Sequence, residues 1–346
     1  ARGEPLKARG YHVKPGASLQ RGGRTSPFLA FMAPRRGMFE KRRFLKFVSK
    51  LSVSQRHVVV LGPTGSGKTT FTEAMLRYLP CDYLVFDYYG EYAGRLPRTV
   101  RVKPSVPFGR WVKNLSMMLR PVSGGVELTC AVYDALRGAG TWDDFIKGLE
   151  RNVSMRRFWR GSEGVLSRLI PLRYAGVLSD DGFHALPRRC LVDLSSLEEE
   201  EKLYTVLLML TWIYTNTSRK RSTRLFIVVE EFKAYMVGQV TPAVAPLLDR
   251  FRKYNVRLVL LTQTLPSDDD LRSTLLQQNL VIFYPGEPLA RELWMRGVAP
   301  RDILDLKEYQ ALAYLPERKQ WTKIRVNPQR RLRAPGSGCK GDLQAG

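Results

Sequence analysis

The chain has 346 residues, 44% of them apolar, and carries 56 Lys and Arg against 32 Asp and Glu for a net charge of +24. That length gives one large domain or two of ordinary size, with enough apolar content for a sizeable core. No apolar run reaches the ~18–20 residues needed to cross a bilayer, the basic N-terminus has no apolar signal-peptide core, and a membrane span is therefore excluded, with a cytoplasmic location as the default expectation.

Residues 1–36 are rich in Gly, Pro and Arg with little periodicity, and a flexible arm is expected there. Residues 1–50 hold 13 basic residues against 2 acidic ones, and residues 318–346 hold 8 against 1. Basic ends around a near-balanced middle point to a polyanionic partner, nucleic acid first. Tails that aid solubility or touch membranes are the plainer alternative. Met38–Leu51 spaces its apolar residues like an amphipathic helix with a basic face. That helix either lies on DNA or a neighbouring subunit, or packs on the core with its charges in solvent. The expected division is a basic arm and helix over 1–50, a catalytic domain over 51–330, and a flexible basic tail over 331–346.

His57–Leu61 is a short Val-rich run that reads as a buried strand. Gly62-Pro63-Thr64-Gly65-Ser66-Gly67-Lys68-Thr69 then fits G-x-x-x-x-G-K-[ST], with Thr70 following. Phe71, Ala74, Met75, Tyr78 and Leu79 continue at helical spacing. Strand, glycine-rich loop and helix in that order make a phosphate cradle. Loop N–H groups and the helix dipole face a polyphosphate. Lys68 would reach the β- and γ-phosphates of ATP, and Thr69 would offer a hydroxyl to Mg²⁺.

Further strands are expected at Tyr83–Phe86 and Val100–Lys103. Helices follow at Val112–Leu119, Val126–Leu136, Trp142–Leu149 and Gly164–Tyr174, a helical insertion over about 106–180. Cys190–Leu194 returns as a strand. A helix from about Leu197 to Asn216 suits Ser196 as its N-cap, with Glu198–Glu201 in the first turn. The basic linker 218–224 leads into the strand Leu225–Val229. Helix Ala243–Lys253, strand Val256–Thr262, helix Leu271–Gln278 and strand Leu280–Tyr284 continue the alternation. An antiparallel pair, Gln310–Leu315 and Trp321–Val326, ends it. Such alternation means an α/β fold with a sheet covered on both faces. The four cysteines, Cys81, Cys130, Cys190 and Cys339, lie far apart and read as reduced thiols.

A P-loop needs partners from neighbouring strand ends. Leu225–Val229 ends in Glu230-Glu231, a Walker B pattern in which Glu230 would serve the metal and Glu231 would polarise the attacking water. The strand Val256–Thr262 ends in Gln263, an amide able to sense the γ-phosphate. Before it, Arg250 and Arg252 sit at a helix end, where one of them could reach a neighbouring subunit's nucleotide, or simply complement the helix dipole.

The stretches Gly62–Thr69, Asp87-Tyr88-Tyr89-Gly90-Glu91-Tyr92, the paired acids and Arg252-Lys253-Tyr254-Asn255…Thr262-Gln263 together resemble the HerA/FtsK superfamily of P-loop motor ATPases, nearest its HerA-like branch. The resemblance implies a RecA-like P-loop NTPase core with a mainly parallel sheet, and ATP and Mg²⁺ as cofactors. It implies a homo-oligomer, a hexameric ring with ATP at subunit interfaces, that translocates duplex DNA, with a nuclease or loading protein as a further partner. The family's sensor falls on Gln263, and its trans arginine on Arg252, with Arg250 second. Two features depart from the family: Glu230 stands where Asp is usual, and residues 1–50 leave no room for the N-terminal β-barrel. A reduced motor core of that kind would serve repair, packaging or conjugative transfer. The alternative function is a nucleic-acid-binding assembly factor for which ATP is a structural switch. A small-molecule kinase is a weaker third, because it gives Gln263 and the charge no role.

Overall fold

The computed structural model describes residues 36–116, 126–180, 188–217, 224–236 and 241–326. The basic arm 1–35, the linker 218–223 and the tail 331–346 lie outside the described residues. In chain order the elements are α1 (Arg36–Val53), β1 (Val58–Leu61), α2 (Lys68–Tyr78), β2 (Asp82–Asp87), β3 (Val100–Val102), α3 (Val126–Ala135), α4 (Trp142–Ser154), α5 (Trp159–Tyr174), β4 (Arg189–Asp193), α6 (Glu199–Thr217), β5 (Leu225–Val229), α7 (Thr241–Lys253), β6 (Val256–Thr262), α8 (Asp269–Leu276), β7 (Asn279–Phe283), α9 (Glu287–Met295), β8 (Gln310–Leu315) and β9 (Gln320–Arg325).

The nine strands form one sheet in the order β3-β4-β2-β5-β6-β1-β7-β8-β9. In that order β3 through β7 pair in parallel, and the β7–β8 and β8–β9 pairs are antiparallel, so that β8 alone among the described strands runs against the rest. β1, β5 and β6 are buried at every position, as expected of parallel strands covered on both faces. Alternate residues serve two cores. Val59 and Leu61 of β1 join Ile227 and Leu260 on one face; Val58 and Val60 join Phe71, Met75 and Phe283 on the other.

The structure packs α1 on the core. Phe44, Phe47, Val48 and Leu51 are buried in the second core, while Lys41, Arg42, Arg43 and Lys46 are exposed. Burying each such side chain stabilises the fold by about 1.5–3 kcal/mol, so the helix is part of the core and leaves its basic face exposed on this chain. The described residues from Glu40 onward form one compact unit.

Several elements differ in extent from expectation. The described part of 112–119 is a 3-10 turn, Arg110–Asn114, that passes into α-helix at Leu115 and Ser116. α5 begins at Trp159, five residues before the predicted start. α6 begins at Glu199, so Ser196 is not its cap; instead the Glu201 carboxylate accepts the Glu198 N–H at 2.9 Å, a capping arrangement from within the first turn. α9 has no counterpart in the sequence reading. Among the cysteines only Cys190 is fully buried; Cys81 and Cys130 are half-buried free thiols, and Cys339 lies outside the described residues.

Candidate nucleotide site

β1 lies near the centre of the sheet, between β6 and β7, and its carboxyl end opens directly into the glycine-rich loop. The Gly62 N–H donates to the Thr262 carbonyl at 3.1 Å, which ties the loop to β6. Tight packing sets the glycines. A Cβ on Gly62 would lie 2.6 Å from Ser66 Oγ and 2.8 Å from Phe283 Cβ. Gly67 has φ +106°, and a Cβ there would lie 2.9 Å from the Tyr309 ring. Only glycine satisfies both conditions. α2 starts at Lys68, so its first N–H groups, which have no helical acceptor, point into the loop. Lys68 Nζ donates to the Gly62 and Pro63 carbonyls at 2.8 and 2.9 Å, leaving its third proton for a phosphate oxygen. Burial lowers the Lys68 pKa, against the opposing pull of Glu231, Glu230 and Glu91.

A pocket of about 280 Å³ gathers Thr64, Gly65, Gly67, Lys68, Thr69 and Thr70 with Glu230, Glu231 and Gln263. The strand order explains how. β6 lies between β1 and β5, so Gln263 projects from the strand that separates the P-loop from the paired acids. Gln263 Nε2 donates to Glu231 Oε2 at 3.5 Å. Glu231 has φ +44°, a left-handed kink that turns the chain out of β5. For a non-glycine residue this costs about 1–3 kcal/mol and is often retained where function needs the geometry. Glu230 is buried, and its Oε2 accepts the Tyr88 N–H at 3.4 Å. Burial, then the charges of Asp87 and Glu91, push the Glu230 carboxyl up to about 8.

The Asp87–Tyr92 stretch acquires a physical account. Asp87 ends β2 fully buried, and its two oxygens accept the N–H groups of Glu91 at 2.9 Å and Tyr92 at 3.2 Å. Gly90 makes the turn at φ +72°. Tyr92 is buried, and Glu91 is delivered to the pocket wall.

Arg250 and Arg252 are not brought to this pocket. They end α7 just before β6 begins, at the amino edge of the sheet. β6 has seven residues, which at ~3.3 Å each separates them from Gln263 by roughly 20 Å. Arg252 lines a second depression with Gln55, Arg56, Lys253 and Glu317, and its carbonyl accepts from the Arg257 guanidinium at 3.1 Å. The Arg250 guanidinium lies over the Tyr214 ring at 5.8 Å.

The pocket also holds residues that sequence patterning did not single out. Arg95 and Tyr309 line it, beside Tyr89 of the Asp87–Tyr92 stretch. Arg95 is exposed, and its loop is held because Arg77, paired with Glu73 at 2.6 Å, donates to the Arg95 carbonyl at 2.5 Å. Neither Arg95 nor Tyr309 belongs to a local motif; the fold alone assembles them with the P-loop.

A Mg²⁺ ion fits the chemistry of this donor set. Thr69 offers a hydroxyl in the same pocket as Glu230, whose carboxyl is crowded by Asp87 and Glu91 and would shed its proton beside a divalent cation. Ser66 Oγ is buried without a hydrogen-bond partner among the described residues, as suits a phosphate cradle.

The family model described as Helicase HerA, central domain, matches residues 48–121, from the end of α1 past β3. Among solved structures, VirB4 of Thermoanaerobacter pseudethanolicus matches with a TM-score of 0.60 at 16% identity, covering 78% of this chain and 89% of that one. The bacterial conjugative coupling protein TrwB, in complex with sulphate, gives 0.58 at 14%, covering 80% and 86%. Plasmid coupling protein TrwB in complex with the non-hydrolysable ATP analogue ADPNP gives 0.56 at 13%, covering 81% and 87%. No curated protein matches the chain in sequence. At these identities the structural likeness speaks to the fold, which is that of a RecA-like P-loop NTPase. With the match over the P-loop region and the composite pocket, the chain is similar to HerA/FtsK-type ATPases, and it is a P-loop ATPase. No helix among the described residues is long and apolar enough to cross a membrane.

Proposed function

We propose that this ATPase is a DNA-translocating motor that assembles head to tail and hydrolyses ATP where two subunits meet. One observation carries the reading: Lys68, Thr69, Glu230, Glu231 and Gln263 share a pocket, whereas the arginines expected to complete it lie on the opposite edge of the same sheet. An arginine placed there is out of reach of its own subunit's nucleotide pocket, which supports a role at another copy's nucleotide. In a ring the amino edge of one sheet faces the carboxyl edge of the next, and the interface is heterologous.

In this account Gly62, Pro63, Thr64, Gly65, Ser66, Gly67 and Thr70 wrap the phosphates. Lys68 neutralises the charge on the β- and γ-phosphates. Glu231 takes the proton of the attacking water, and Gln263, bonded to Glu231, senses the γ-phosphate. Arg252 of the neighbour, with Arg250 as the second choice, stabilises the charge that develops in the transition state. Thr69 and Glu230 would hold Mg²⁺, which shields phosphate charge when bound. The net charge of +24 supports a nucleic-acid track, held through phosphates and without base readout. The ATPase domain of this reading spans residues 51–330, with 106–180 as a helical insertion and basic segments at both ends.

The test is ATP turnover with and without duplex DNA. DNA should stimulate it, and Lys68→Ala should abolish it; turnover indifferent to DNA would count against the motor. A second reading, a nucleic-acid-binding assembly factor switched by ATP, draws on Glu230, which holds its proton up to about pH 8. Unchanged turnover in Glu231→Gln would favour it.

A further inference from the structure

A second charged pocket, of about 600 Å³, lies at the other edge of the sheet and is lined by Arg98, Arg188, Arg189 and Arg224, with Asp82 as its one acid. The register brings these arginines together from three distant segments. Tyr83 pairs with Arg189, Asp82 with Leu225, and Val100 with Cys190. The amino ends of β2, β3, β4 and β5 therefore open on one surface. Strands of five or six residues put that surface roughly 17–20 Å from the nucleotide pocket.

The pocket is built rather than incidental. The Arg189 guanidinium lies over the Tyr83 ring at 5.7 Å, and the Tyr83 hydroxyl bonds Thr99 Oγ1 at 2.7 Å, which fixes the loop carrying Arg98. Arg98 itself adopts φ +57°. Arg224 is braced by Asn255 Oδ1 at 3.2 Å and by the Ser52 carbonyl. Yet Arg98, Arg188 and Arg189 have no carboxylate partner among the described residues. Clustered unpaired guanidinium groups repel one another and raise the local potential, a cost that a bound anion relieves. Their planar, forked donors match phosphate oxygens in pairs. A broad opening with donors spread over several strands suits a chain of phosphates better than one.

We propose that this arginine pocket holds a phosphodiester segment of duplex DNA, giving the motor a track contact at the amino ends of β2–β5, on the β3 side of the β6 end that faces the next subunit. The proposal rests on the DNA-motor reading above and names its contact.

The test is binding of a labelled random-sequence duplex, followed by fluorescence anisotropy over a salt series, for the wild-type protein and Arg98→Gln/Arg188→Gln. Both side chains are exposed, so the variant should keep its melting temperature and its affinity for an ATP analogue. Each lost phosphate contact lowers the slope of log affinity against log salt by about 0.9, so the expected loss is about 2, with weaker binding to every sequence. Arg188→Glu should weaken binding further. If the wild type binds DNA and both variants bind it with unchanged slope, the pocket is overturned and the motor reading stands. If the wild type binds no DNA, both fall. If the same arginines instead capture vesicles of anionic lipid while DNA binding is unaffected, the nucleic-acid assignment is overturned.

Discussion

The Gln263 amide donates to the Glu231 carboxylate across the carboxyl ends of two adjacent strands, β6 and β5, at 3.5 Å. The bond links the residue placed to sense the γ-phosphate to the residue placed to activate water. Glu231→Gln should lower kcat by 10²–10⁴-fold, the usual contribution of a general base, with ATP-analogue affinity retained. Gln263→Ala should also lower kcat and leave KM nearly unchanged. Steady-state turnover with parallel binding titrations checks both.

Glu230 carries a pH signature. Its folded-state pKa of about 8 lies above the ordinary value of 4.5. Between those two values the folded protein holds a proton that the unfolded chain has released, so this group makes stability fall as pH rises. Glu230→Gln removes that effect. In the absence of nucleotide and Mg²⁺ the variant should gain on the order of 2 kcal/mol over wild type at pH 8.5, and little at pH 5. Denaturant melts at the two pH values measure it.

Gly67→Ala should be costly for two separable reasons. Its φ of +106° strains any side chain, and the new Cβ would meet the Tyr309 ring at 2.9 Å. A loss of about 1–3 kcal/mol in stability is expected, together with weakened ATP binding. Adding Tyr309→Ala relieves the contact but not the backbone strain, so the double variant should recover only part of the loss.

Arg95 adds a positive charge to the pocket from the same subunit. Arg95→Ala should raise KM for ATP about 10–100-fold, the range of a lost charge-assisted hydrogen bond. Its side chain is exposed and its loop is held through the backbone by Arg77, so the melting temperature should not move.

The parts of this site legible in the sequence are those where function and local structure share a stretch of chain. Val58–Leu61 runs straight into Gly62–Thr69, and the apolar strands β5 and β6 end abruptly in Glu230-Glu231 and Gln263. Period and punctuation reveal such places. Sheet order is not local: nothing in the sequence says that β6 separates β1 from β5. Arg95 and Tyr309, and Arg98, Arg188 and Arg189 of the second pocket, carry no pattern of their own and find their neighbours only through the fold. Ser196 was a plausible cap by residue type, but the helix begins later because a Glu within its first turn supplies the acceptor. α9 starts after Gly286 with Pro288 in its first turn, and the break signal hid the helix behind it.

The central claim is that each ATP site is finished by the next subunit. It is tested most directly by mixing two inactive variants, Lys68→Ala and Arg252→Ala, in the presence of duplex DNA. The first lacks a working P-loop and keeps the arginine; the second has the reverse. Head-to-tail assembly of an equal mixture makes about a quarter of the interfaces intact, so turnover should reappear to roughly that extent. Arg250→Ala in place of Arg252→Ala should show no such rescue, because it should not be inactive alone. A mixture as inactive as its components would contradict the shared site.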